Sequence, residues 1–227
     1  EYVGAYEHEP ALIAELLNRN GLEQALFNLP AGDWAAGERG IACLPDRVDE
    51  FRQSVETAIR YAQATGCTRL NCLAGLLPPG LERGEAERIL IGNLRYAARR
   101  LAAAGIRLLL EPINPSDMPG FLVNTSADYE CIAAEVGHDN LYLQYDFYHM
   151  QVVQGDLLRT FRRLQHRIAH VQFADNPGRH EPGTGEINYA TIFRALDDAG
   201  YEGWVGAEYR PLNGTSAGLG WMAPWRR

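Results

Sequence analysis

The chain has 227 residues and a formal net charge of −8, from 21 Lys+Arg against 29 Asp+Glu, and every basic residue is an arginine. Without lysine these residues offer no Schiff-base nucleophile and no P-loop cation, which excludes imine-forming aldolase, PLP and P-loop chemistry among them. The acidic balance argues against nucleic acid or an anionic membrane as partner, and leaves a small anionic substrate met by a few placed arginines.

The remaining composition is ordinary: 46% hydrophobic and 22% charged residues, as in a globular chain. No apolar run approaches the roughly 18 residues of a membrane helix. The start, Glu1-Tyr2-Val3, carries neither the basic nor the apolar stretch of a signal peptide. Cys43, Cys67, Cys72 and Cys131 have no C-x-x-C spacing and read as reduced thiols, mostly buried, of a cytoplasmic protein.

In chain order, residues 1–3 read as a strand stub, 10–19 as a helix and Leu22–Asn28 as a strand. A helix over 49–65 puts Phe51, Val55, Ile59 and Ala62 on one face and stops at Gly66. Arg69–Ala74 follows as a strand. A helix over 85–104 aligns Ile89, Leu94, Ala97 and Leu101 and stops at Gly105, before the strand Arg107–Glu111. Ser126 is positioned to cap the next helix, which carries Tyr129, Ile132, Ala133 and Val136 and ends at Gly137. Leu141–Asp146 reads as a strand, 155–166 as a helix and Ile168–Phe173 as a strand. A helix capped by Asn188 carries Ile192, Phe193 and Leu196 and ends at Gly200; Trp204–Glu208 is the last strand.

Apolar, non-alternating strands separated by amphipathic helices imply an α/β fold with a parallel sheet under helices. The reading is a single (β/α)8 TIM barrel over residues 1–227 whose first unit is absent from the given chain, since six full strands are counted where eight are needed. The open doubly wound sheet is the rival, without a G-x-G-x-x-G turn to support nucleotide binding. Two long connections, Pro30–Asp46 and Asn176–Glu186, have the length of functional or lid-like loops.

Strand ends carry the chemistry. Four successive strands finish in a polar residue: Glu111, Asp146, Gln172 and Glu208. In a parallel barrel these ends share one mouth, and a carboxylate closing an apolar run needs a partner, a hydrogen bond or a metal. Three carboxylates and an amide oxygen make a hard donor set that favours Mg²⁺ or Mn²⁺. Such an ion holds two substrate oxygens and stabilises an enediolate, while two glutamates on separate strands pass a proton as base and acid. His149 is a candidate donor to a substrate oxygen, against the reading of an ordinary core histidine. Arg179 and His180, in Asp175–Tyr189, are candidate substrate-binding groups, because arginine matches a carboxylate bidentately. Glu186 reads as a brace for that loop. His170 is expected in the core. His8, His138 and His166 carry no functional reading.

These residues resemble the hydroxypyruvate isomerase family, within the xylose-isomerase-like barrels. The motifs are ALFNLPAGDWAAGERGIACLP (25–45), NLRYAA (93–98), LLLEPIN (108–114), YDFYHMQ (145–151), HVQFADNPGRHEPGTGEINY (170–189), GWVGAEYRP (203–211) and GLGW (218–221). Where the family often has an F-P-Y turn, the chain has Gly4-Ala5-Tyr6. The resemblance implies an eight-stranded barrel, with the first strand, first helix and most of the second strand absent here. It implies that Glu111, Asp146, Gln172 and Glu208 form the metal site, with Glu111 and Glu208 as the acid/base pair. Gln172, where ketose 3-epimerases generally carry His, favours the isomerase branch.

The expected reaction interconverts hydroxypyruvate and 2-hydroxy-3-oxopropanoate, with Arg179 or His180 on the substrate carboxylate. The alternatives are a 2-oxo-tetronate isomerase, a ketose 3-epimerase, a nuclease resembling endonuclease IV and a non-catalytic binding barrel. A homo-oligomer stays open: the tail Gly218–Trp225, with Trp221 and Trp225, suits either a subunit interface or packing on its own barrel.

Overall fold

The computed structural model describes residues 1–2 and 4–225. Among them, six parallel strands form one sheet in sequence order: β1 Phe27–Asn28, β2 Arg69–Cys72, β3 Arg107–Leu110, β4 Leu141–Asp146, β5 Ile168–Phe173 and β6 Val205–Ala207. Each is joined to the next through helix, as a parallel pair requires. The helices are α1 Pro10–Arg19, α2 Val48–Thr65, α3 Arg83–Ala103, α4 Ser126–Val136, α5 Phe147–Val153, α6 Leu157–Leu164 and α7 Tyr189–Asp198. Short 3₁₀ turns and a 3₁₀ tail, Ala217–Trp225, complete the described chain. No helix among the described residues is long and apolar enough to cross a membrane.

Side-chain alternation splits every strand between two environments. Leu70 and Cys72, Leu108 and Leu110, Leu143 and Tyr145, Val171 and Phe173 belong to the main core under the helices. That core receives Phe51, Val55, Ala58, Ile59 and Ala62 from α2, and Leu90, Leu94, Ala97 and Leu101 from α3. The other face of the sheet is lined low down by Leu26, Leu109 and Ala169. Towards the strand ends it carries Asn71, Gln144 and Gln172, all buried and polar. The register of β4 and β5 shifts between Leu143 and Gln144, so that Gln144 pairs with His170 and Asp146 with Gln172. His170 lies fully buried, as expected, in contact with the Glu1 carboxylate.

Several local expectations are corrected. Thr125, not Ser126, caps α4: its hydroxyl accepts the Asp128 N–H at 3.1 Å while the Asp128 carboxylate accepts the Thr125 N–H at 3.0 Å. Ser126 is the first helical residue and turns its hydroxyl to Gln154 Oε1 at 3.0 Å. The strand expected over Leu22–Asn28 pairs only at Phe27 and Asn28, and Trp204–Glu208 only at Val205–Ala207. The helix expected over 155–166 is α6 followed by a 3₁₀ turn, Gln165–Arg167. The stub expected over 1–3 includes Val3, which lies outside the described residues; Glu1 and Tyr2 form no strand. Helix α5 was not foreseen, because seven mostly apolar residues are too short to display a helical period.

Cys43, Cys67 and Cys72 are buried and Cys131 exposed, all four free. The tail packs on its own barrel: Trp221 meets Phe173 edge-on at 5.1 Å between ring centroids, and Trp225 meets Phe193 at 5.2 Å.

Candidate active site

Helix α5 begins directly after β4, and this abrupt start builds the centre of the site. Asp146 is both the last strand residue and the N-cap of α5, its Oδ1 accepting the Tyr148 N–H at 2.7 Å. One helical turn later His149 faces back towards it. His149 Nε2 lies 3.7 Å from Asp146 Oδ2 and 3.7 Å from Oε1 of Glu111, the residue that follows β3. All three side chains are buried, and their ligand-type atoms lie within 4.8 Å of one another.

Hydrogen bonds define what each group presents. Glu111 Oε2 accepts from Asn71 Nδ2 at 3.1 Å. Asp146 Oδ2 is buried with no hydrogen-bond partner among the described residues. Asn114, wholly buried, accepts the Asp117 N–H on its Oδ1 at 2.8 Å, so its Nδ2 end faces His149 Nδ1 at 2.7 Å. That network assigns Nδ1 as the acceptor and places the ring proton on Nε2, facing the carboxylates. Burial, with the nearby Arg179 charge, pushes the imidazole down to about 3, so His149 is neutral and a donor.

Arg179 arrives from the loop after β5. Its Nη2 lies 3.2 Å from Glu208 Oε2 and 3.9 Å from Asp146 Oδ2, and its Nη1 3.3 Å from Asp117 Oδ2. Burial works against this guanidinium charge, but Asp146, Glu208, Glu111 and Asp117 more than offset it and raise its pKa. Its backbone has φ of 53°, sparsely populated for a residue with a side chain, and its carbonyl is held by the Arg210 N–H at 2.8 Å.

Carboxylates here resist ionisation. Burial, then the charges of Glu208 and Asp146, drives Glu111 well above the usual range. Burial raises Asp146 to about 6 against the opposing pull of Arg179. The Glu208 side chain is 49% exposed, yet the surrounding wall removes enough water to push it up to about 7, again against Arg179.

Glu111, His149, Arg179 and Glu208 therefore line one cavity of about 720 Å³. Gln172 sits beside it in a smaller space of about 180 Å³ shared with Glu111 and Glu208. Its Oε1 is engaged by Gln144 Nε2 at 2.5 Å and its Nε2 by Glu1 at 2.9 Å. His180 turns its Nδ1 to the Arg210 carbonyl at 2.7 Å rather than into the cavity. Glu186 accepts from Gln151 at 3.1 Å and Asn176 at 2.6 Å, tying the loop to α5. Reasoning from sequence missed Asn114 and Asp117, whose roles depend on contacts made across the mouth.

Asp175 was missed as well. Its buried carboxylate accepts four backbone N–H groups: Asn176 at 3.0 Å and Ile187 at 3.1 Å on Oδ1, Gly183 at 2.8 Å and Gly185 at 2.9 Å on Oδ2. Gly185 has no room for a side chain, because a Cβ would lie 2.0 Å from the Asn176 carbonyl oxygen. Asp175→Asn replaces one of the two acceptor oxygens with an amide donor that faces two N–H donors. The expected loss is about 2–4 kcal/mol of stability, with Arg179 released from its position; chemical denaturation and protease sensitivity of loop 176–187 check it.

Comparison with known proteins agrees with this architecture. Residues 2–225 match the family model of the xylose isomerase-like TIM barrel. The hydroxypyruvate isomerase of Escherichia coli is 48% identical over 226 residues, covering all of this chain and 88% of its own. The 2-oxo-tetronate isomerase of Cupriavidus necator is 47% identical, covering 99% and 86%. The crystal structure of an AP endonuclease, family 2, from Brucella melitensis superposes with a TM-score of 0.94 at 43% identity, covering 98% and 86%. The chain belongs to the xylose isomerase-like TIM barrel family, among its hydroxypyruvate isomerase-like isomerases.

Proposed function

We propose that the chain interconverts hydroxypyruvate and 2-hydroxy-3-oxopropanoate by proton transfer through an enediolate. The observation that carries this reading is the pair Glu111 and Glu208, two carboxylates on separate strand ends that line one cavity and are both raised towards neutrality. One glutamate takes the proton from the hydroxymethyl carbon; the other returns a proton to the neighbouring carbon, and the hydroxyl proton moves from one oxygen to the next. His149 donates from Nε2 to a substrate oxygen, and Arg179 holds Glu208 in place.

The donor set also fits a divalent cation, Mg²⁺ or Mn²⁺. Asp146 Oδ2 is an orphaned buried oxygen beside Glu111, and a carboxylate in that condition is costly without a counter-charge. Glu111 and Asp146 would hold the ion, with Glu208 as a further donor; the Gln172 amide oxygen, already engaged by Gln144, would offer only its second lone pair. When bound, such an ion supplies Lewis acidity for charge on the substrate oxygens. His149 stands apart from the donor set, since its Nε2 carries the proton.

A four-carbon 2-oxo-tetronate is the second reading, supported by the 47% identical relative of that name. The ketose 3-epimerase reading has only fold-level support, from structures under 25% identical. An abasic-site nuclease is disfavoured by the −8 charge, since phosphate-backbone binding needs cationic surface. The deciding experiment incubates the protein in deuterium oxide with hydroxypyruvate or a 2-oxo-tetronate, with Mg²⁺, Mn²⁺ or EDTA, and follows products by NMR. Cation-dependent aldehyde formation with deuterium at the accepting carbon is expected. No exchange on either acid with any cation would reject the reading.

A further inference from the structure

Arg179 is a poor anion receptor. Three carboxylates already lie within 3.9 Å of its guanidinium, so an incoming carboxylate would compete with all of them. The same cavity contains another arginine, Arg39, from the long connection between β1 and α2. Its guanidinium lies over the Trp34 ring, 4.0 Å from the centroid. Its Nη1 donates to the Trp34 carbonyl at 3.1 Å and to the Glu38 carbonyl at 2.7 Å. Among the described residues no ion pair joins Arg39 to a carboxylate: Glu38 pairs with Arg47, and Asp117 and Glu208, which line the same cavity, pair with Arg179.

Donor arithmetic makes this arrangement specific. A guanidinium has five N–H groups, and two carbonyls consume the two on Nη1. The edge formed by Nε and Nη2 keeps two parallel N–H groups, the geometry that takes a carboxylate bidentately. The loop beneath is braced. The Gly40 N–H donates to the Ala31 carbonyl at 2.9 Å, and the Asp33 N–H to Glu38 Oε2 at 2.5 Å. Gly40 has φ of 111°, and a Cβ there would lie 2.3 Å from the Leu73 carbonyl oxygen. Only glycine permits that approach, which seats the chain beside Arg39 against the strand that leads into the site. Arg210 lines the same wall, but it is exposed, and among the described residues no stacked ring or side-chain hydrogen bond aims it.

We propose that Arg39 is the carboxylate-binding residue of the site, selecting small 2-oxo acids over neutral ketoses of the same size. The assignment deepens the isomerase reading and rests on it for the identity of the acid. Trp34 fixes the plane of the fork and the two carbonyls fix its rotation, so Arg39 offers the acidic cavity a bidentate edge that is already aimed.

The test compares wild type, Arg39→Gln, Arg39→Lys and Arg210→Gln. One readout is calorimetric titration with pyruvate, an anion that lacks the hydroxyl needed for isomerisation and so reports binding whether or not the protein turns over hydroxypyruvate. The other is the split between kcat and KM on hydroxypyruvate, with the neutral ketose dihydroxyacetone as comparison. Arg39→Gln is expected to weaken pyruvate and raise KM about 10- to 100-fold, with kcat and the response to dihydroxyacetone changed little. Arg39→Lys recovers part of the affinity, because its charge lacks the fork, and it keeps the test open should the Gln variant fold poorly. Pyruvate binding unchanged in Arg39→Gln overturns the proposal, as does a loss that appears in Arg210→Gln instead. Pyruvate binding by wild type that is lost in Arg39→Gln, with no turnover of any oxo acid, leaves Arg39 as the anion site and rejects the isomerase reading alone.

Discussion

Glu208→Gln is expected to fold normally and to lose turnover by about 10²- to 10⁴-fold, the usual contribution of a positioned acid or base. The substitution keeps shape and removes only the ability to carry a proton. Its structural cost is small, because the side chain is 49% exposed and its recorded ion pair is the 3.2 Å contact with Arg179. A circular dichroism spectrum and melting temperature close to wild type should therefore accompany the loss of deuterium exchange. Glu111→Gln should be equally inactive but behave differently in stability. Glu111 is a buried carboxyl forced well above its ordinary range. The amide oxygen of Gln still accepts from Asn71, while the charge that resists burial is gone. The metal-free Glu111→Gln protein should melt no lower than wild type at pH 8. Turnover by Glu208→Gln within threefold of wild type would remove the two-carboxylate mechanism.

A metal-free preparation is expected to lose stability as the pH rises from 5 to 8, and a divalent cation to restore it. The sign follows from linkage. Asp146 titrates at about 6 in the folded protein against an ordinary value of 3.8, so over that interval the folded state holds more protons than the unfolded chain. Stability then falls with rising pH, starting near the unfolded value and complete once the pH has passed the folded one. For Asp146 the full cost is about 3 kcal/mol; about half of it falls above pH 5, which in a chain of this size is about 3–6 °C of melting temperature. Glu208 and Glu111 are displaced in the same direction and add to the slope, while His149, lowered from 6.5 to about 3, works against it up to about pH 6.5. A bound cation removes the penalty by supplying the counter-charge that the orphaned Asp146 Oδ2 lacks. Calorimetry at pH 5 and pH 8, in EDTA and in Mn²⁺, measures both effects, and Asp146→Asn isolates the residue. A pH dependence in EDTA that Asp146→Asn leaves unchanged would contradict the electrostatics of the site.

The strands that place the site were legible because they are fully apolar on the helix side and end in one polar residue. β4 and β5 have the bounds that their runs predict, and β2 and β3 start where expected. The outer strands were over-read. Leu22–Asn28 has strand composition, yet pairing with β2 stops at Phe27 and Asn28, because a strand's length is set by its neighbour as well as by its own residues. Ser126 and Thr125 are both good caps, and the choice between them turned on Asp128 closing a capping box with Thr125.

Chemistry at the mouth divides along the same line. Residue types at the ends of apolar runs suffice to place Glu111, Asp146, Gln172 and Glu208 near one mouth, and the absence of lysine leaves arginine and histidine as the neutral-pH donors. Alternation along a strand is a local property, so it survives in the linear chain. Which of these groups is free to act is a property of distant pairs. Gln144 holds the Gln172 oxygen, Asn114 sets the proton on His149, and three carboxylates surround Arg179 while Arg39 keeps an open edge. Those partners lie on other strands and loops, and only the packing of strands and loops around one mouth, which withdraws them from water together, determines their protonation and their hydrogen bonds.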